Sequence, residues 1–125
     1  MRELLHKHHI SFKNAFAGLV WAIRVHPNFR VHFILAFCAL ALGIFLRISF
    51  VEMTIIVFTI LLVITTEMIN TSIEAMTDLI TKEWRQDAKI AKDVSAGMTL
   101  VAAMGATAVG ALIFIPHILA YFSKA

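Results

Sequence analysis

The stretch from Val94 to Phe122 carries no formal charge. A helix needs about 20 apolar residues to cross the hydrocarbon core of a bilayer, so this stretch is long enough by itself. Two more apolar runs precede it. The first is FILAFCALALGIFL, Phe33 to Leu46, with flanks reaching Val31 and Phe50; the second begins at Met53. These two reach spanning length only by taking in a few polar residues at their ends. The sequence therefore predicts three membrane helices, and the whole composition agrees. Of 125 residues, 60% are hydrophobic and only 15% are charged, whereas soluble domains run near half apolar and a quarter charged. A soluble fold of this size has too little interior to hide that much apolar surface. One domain, residues 1–125, fits the length.

Charge placement sets an orientation. Arg2, Lys7, Lys13, Arg24 and Arg30 precede the first span, and Lys82, Arg85, Lys89 and Lys92 separate the second from the third. The turn between the first two spans holds only Arg47, and the tail only Lys124. The positive-inside rule puts the N-terminus and the 79–93 segment in the cytoplasm, and Arg47, Ser49 and Glu52 in a short outer turn. The net charge of +3 is divided among ends and loops, which argues against nucleic-acid binding. The opening MRELLHKHHISFKN is basic and polar and does not read as a cleavable leader. Its His6, His8 and His9 read as a solvated end before a metal tract.

Ahead of the spans, Phe12, Phe16, Leu19, Val20 and Ile23 recur at helical spacing, with Lys13, Asn14 and Arg24 elsewhere on the wheel. This predicts an amphipathic surface helix that Pro27 breaks before the first span. Gly97, Gly105 and Gly110 suit close helix packing, within one chain or between chains. Cys38 reads as a small buried hydrophobe. Ser95 and Ser123 read as helix-interface or terminal residues, Trp21 and Trp84 as interfacial anchors or packing residues, and His117 and Tyr121 as outer-interface residues.

Chemistry concentrates in EMINTSIEAMTD, residues 67 to 78. Glu67, Asn70, Glu74 and Asp78 are spaced three, four and four apart, which places them on one narrow helical face. Glu67 is expected deepest and Asp78 nearest water. An ionised carboxylate at membrane depth costs on the order of 3 kcal/mol or more, so the face needs a cation, basic partners, proton sharing or a watery cleft. Lys89, Lys92 and Asp93 stand near its cytoplasmic end. Carboxylates with an amide suit a hard cation such as Mg²⁺, and lysines suit phosphate. Together they suggest a magnesium–nucleotide site at the membrane surface. A polar seam joining subunits, or a proton or ion pathway, uses similar residues; the phosphate-directed lysines favour the first reading. There is no Walker-type loop and no convincing Ser/His/Asp arrangement.

EMINTSIEAMTDLI followed by AKIAKDVSAG, with AFAGLVWAIR and PNFRVHF before the first span, resembles the small prokaryotic lipid kinases, diacylglycerol kinase and undecaprenol kinase. The AKIAKDVSAG form looks more like the undecaprenol branch. The resemblance implies an all-α integral membrane fold of three transmembrane helices plus an N-terminal surface helix. It implies homotrimers with active sites shared between chains, in the bacterial cytoplasmic membrane with the site on the cytoplasmic side. It implies transfer of the ATP γ-phosphate to a lipid hydroxyl, most simply that of undecaprenol, with diacylglycerol as the alternative. On this resemblance Glu67 corresponds to the general base and Glu74 to a magnesium ligand. Asn70, Asp78, Lys92 and Asp93 correspond to residues around the nucleotide phosphates, and Arg30 to a basic residue at the lipid entrance. The chain departs from the family at His26, where a metal-binding glutamate is usual; imidazole is a poorer Mg²⁺ ligand than carboxylate.

Overall fold

The computed structural model describes residues 2–123, with side chains from residue 10 onward, so the His6, His8 and His9 tract lies outside the described side chains. The chain is four helices: α1 (Arg2–Val25), α2 (Pro27–Phe45), α3 (Phe50–Ile80) and α4 (Gln86–Phe122). The three expected spans are α2, α3 and α4, each long and apolar enough to cross a membrane. The helices are longer than the apolar runs: α3 starts three residues before Met53 and α4 eight residues before Val94.

Local chemistry fixes the ends. His26 is the extended N-cap of α2 and Pro27 occupies its first position, where the missing N–H costs nothing and the fixed φ is already helical. The break expected at Pro27 is therefore real. After α2, Arg47 adopts a left-handed φ of 54°. Arg47 N–H donates to the Ile44 carbonyl and Ile48 N–H to the Gly43 carbonyl, both at 3.1 Å; this double closure ends a helix abruptly. Gly43 fits beneath it because a Cβ there would lie 2.8 Å from Met53 Cε and 3.0 Å from Ile48 Cδ1. Glu52 then belongs to α3 and not to the turn. Ser49 N–H donates to Glu52 Oε2 at 2.7 Å, and Glu52 N–H donates to Ser49 Oγ at 3.2 Å, a reciprocal cap. Near the same end of the bundle, His117 Nε2 on α4 lies 3.6 Å from Glu52 Oε2.

Helix length places the polar face. At 1.5 Å per residue, the 31 residues of α3 extend roughly 46 Å, against about 30 Å of hydrocarbon. Counted from Phe50, about 20 residues span the core, which brings the boundary to the level of Glu67 and Asn70. The rest of α3, with the start of α4 as far as Ser95, which bonds Asn70, stands in the headgroup layer or beyond.

Packing is one-sided. The main contact is α3 against α4, with α2 on α3 and α1 touching α2. Among the described residues the buried hydrophobics are Ala22, Phe29, Ile56, Val63 and Ile113, whereas the buried polar set is Thr66, Glu67, Asn70, Thr71, Thr77, Ser95 and Thr99. A water-soluble fold reverses that balance. Cys38 is exposed, contrary to expectation, because α2 packs only one face inward and Cys38 shares the outer face with Phe37. Nor do the glycines of α4 make close helix contacts within the chain. A Cβ at Gly97 or Gly105 would meet nothing within 4 Å, and one at Gly110 only its own helix's Phe114. The polypeptide is an integral membrane protein whose apolar helix flanks face outward.

Candidate active site

The polar stripe predicted from spacing runs along the face of α3 that meets α4 and the α1–α2 junction. Its burial is graded. Glu67 is 2% exposed, Asn70 6%, and the Glu74 and Asp78 side chains 35% and 63%. No described side chain donates a hydrogen bond to Glu67, and its carboxylate oxygens are not among the fully buried unpaired atoms, so they remain open to an incoming donor.

One turn on, the contacts become connected. Ser95 Oγ on α4 donates to Asn70 Oδ1 at 2.7 Å. Asn70 Nδ2 donates to Glu74 Oε1 at 3.1 Å. Glu74 Oε2 faces His26 Nδ1 at 3.9 Å, and the His26 ring packs edge-on to Trp21, centroids 5.5 Å apart. Residues from α1, the α1–α2 junction, α3 and α4 thus meet around one carboxylate. Ser95 and Trp21 were not singled out for chemistry by the sequence. For Ser95, the available signal was its place three residues after Lys92, on the same helical face.

At the exposed end, Lys92 Nζ donates to Asp78 Oδ1 at 2.5 Å, joining α4 to α3. Lys89 pairs with Asp93 on the exposed side of α4, so Lys92 alone of the two lysines reaches the stripe. A cavity of about 400 Å³ opens there between α3 and α4; its charged lining is Lys82, Arg85, Lys89 and Lys92 against Asp78 and Glu83, with Trp84 also in its wall. Arg30 is exposed on the first turns of α2. On the apolar side, a groove of about 260 Å³ between α2, α3 and α4 reaches Val63 and Ala103, each four residues from Glu67 or Thr99.

A metal test can be applied to the donors. Among the described residues no group of three or more His, Cys, Asp or Glu side chains is close enough to cage an ion. Mg²⁺ commonly takes only one or two protein carboxylates and completes its octahedron with phosphates and water. Glu74, partly exposed and with one oxygen uncommitted, fits that use; a closed protein cage does not.

Fold and site together define a class: a three-span membrane protein with an acid-and-amide face at the bilayer boundary and a cationic cavity beyond it. The profile of the prokaryotic diacylglycerol kinase family matches residues 13–114. The chain is 32% identical over 111 residues to a diacylglycerol kinase of Synechocystis sp., covering 88% of this chain and 63% of that protein, so it spans less than two thirds of that relative. It is 35% identical over 117 residues to an undecaprenol kinase of Bacillus subtilis, covering 94% and 95%. The chain belongs to the prokaryotic diacylglycerol kinase family, a family of membrane lipid kinases.

Proposed function

We propose that this protein transfers the γ-phosphate of ATP to the hydroxyl of a membrane lipid alcohol, undecaprenol before diacylglycerol. The observation that carries this reading is the graded face of α3: a buried carboxylate to which no described side chain donates, at the hydrocarbon boundary, and paired acid, amide and lysine groups toward water. Phosphoryl transfer asks mainly for positioning and charge stabilisation, and this face separates a place for an apolar alcohol from a place for a polyanion.

In the proposed reaction the lipid hydroxyl hydrogen-bonds to Glu67, which takes its proton as general base. The alcohol oxygen forms its bond to the γ-phosphorus as the bond from that phosphorus to the ADP oxygen breaks. Glu67 then returns the proton to solvent. Lys92, held by Asp78, directs positive charge at the phosphates; Lys89 and Asp93 complete the water-side scaffold. Asn70 orients Glu74. Magnesium arriving with the nucleotide would be held by Glu74 beside His26 and would neutralise phosphate charge. Arg30 lies where an exposed guanidinium can meet the lipid headgroup region.

The site faces the cytoplasm of the bacterial inner membrane in this proposal, as the Lys and Arg distribution favours. Homotrimers with active sites between chains are proposed from the outward apolar flanks of all three spans and the unfilled space beside Gly97 and Gly105. Undecaprenol is preferred because the Bacillus undecaprenol kinase matches almost end to end; the Synechocystis relative supports diacylglycerol as the alternative. The test gives purified protein labelled ATP, magnesium and undecaprenol, diacylglycerol or no lipid. Labelled undecaprenyl phosphate is expected; ATP hydrolysis with no labelled lipid rejects the proposal.

A further inference from the structure

We propose that Ser95 is a positioning residue. It locks the Asn70 carboxamide so that the NH₂ group addresses Glu74, the carboxylate given to the metal above; the inference rests on that reading. Ser95 is 2% exposed and Asn70 6%, so water does not compete for their bond. The Ser95 hydroxyl has one proton and two acceptors in reach, Asn70 Oδ1 at 2.7 Å and the Lys92 carbonyl at 2.9 Å. That carbonyl lies inside α4 and already accepts from the helix ladder. Asn70 Oδ1 has no other donor among the described residues.

The far end of the amide gives the same answer. Asn70 Nδ2 is 3.1 Å from Glu74 Oε1. An ionised carboxylate only accepts hydrogen bonds, so a flipped amide would set oxygen against oxygen. Ser95 as donor at one end and Glu74 as acceptor at the other select a single orientation. This commits Glu74 Oε1 to Asn70 and leaves Oε2, on the His26 side, as the free oxygen. Groups that orient a metal ligand typically change metal affinity 10- to 100-fold when removed. A serine that merely filled the α3–α4 interface would alter stability and leave metal binding alone.

The experiment titrates Mn²⁺ into detergent-solubilised protein with a non-hydrolysable ATP analogue, read by electron paramagnetic resonance. Ser95→Ala is expected to weaken Mn²⁺ binding about tenfold, with nucleotide binding in the absence of metal unchanged. Ser95→Thr, which keeps the hydroxyl, is expected to restore it. Mn²⁺ affinity in Ser95→Ala within twofold of wild type overturns the proposal while leaving the kinase reading intact. Wild-type protein that binds no Mn²⁺ rejects both. If Ser95→Ala does not fold, exchange of the wild-type Asn70 side-chain amide, followed by nitrogen-15 NMR, decides. Asn70 NH₂ exchange with solvent far slower than that of an exposed asparagine is expected; exchange at the exposed rate overturns the assignment.

Discussion

His26 Nδ1 and Glu74 Oε2 lie 3.9 Å apart, joining the start of α2 to the water-side part of α3. The imidazole therefore stands where a second carboxylate would share a cation with Glu74. Hard Mg²⁺ prefers oxygen ligands. His26→Glu is expected to lower the magnesium concentration giving half-maximal turnover by about tenfold, the low end of what groups beside a metal typically contribute, read from rates across a magnesium titration. An unchanged titration would remove His26 from the metal side of the site.

Glu67 combines near-complete burial with the absence of any described donor. Glu67→Gln keeps the shape and removes the proposed base. Turnover should fall by about 10²- to 10⁴-fold, the usual contribution of general acid–base catalysis, while helix content and oligomeric state stay as in wild type. Labelled-phosphate transfer and size-exclusion chromatography measure the two halves of this prediction, and near-normal turnover would reject the role.

Thr99 behaves differently from most helical hydroxyls in the chain. Thr54, Thr59, Thr66, Ser72, Thr77 and Thr107 each donate to a carbonyl of their own helix. Among the described residues, the buried Thr71 and Thr99 hydroxyls have no partner. A buried unpaired polar group costs about 1–3 kcal/mol. Thr99→Val keeps the volume and removes the hydroxyl, so it should stabilise the protein by roughly 1 kcal/mol, seen as a higher melting temperature by circular dichroism in detergent. A lower one would mean that the hydroxyl has a partner.

Much of this arrangement was legible in the sequence because membranes impose simple rules. Uncharged runs set three spans, and Pro27 ended the first helix. The spacing of Glu67, Asn70, Glu74 and Asp78 put them on one face, since a helix fixes angular position by sequence separation alone. The sequence marks Ser95 as an interface residue but not as the partner of Asn70, because the two are 25 residues apart. Cys38 reads as buried from its apolar run but faces outward, because apolarity does not tell a lipid-facing side from a protein-facing one.

The sequence by itself determined the solvent, the number of crossings and the side of α3 that carries the polar stripe, all properties of single helices. Only the tertiary structure decided which groups meet: Ser95 with Asn70, Lys92 with Asp78, His26 with Glu74. Those pairings depend on the register and rotation of one helix against another, set by the summed packing of many weak contacts that no local pattern encodes.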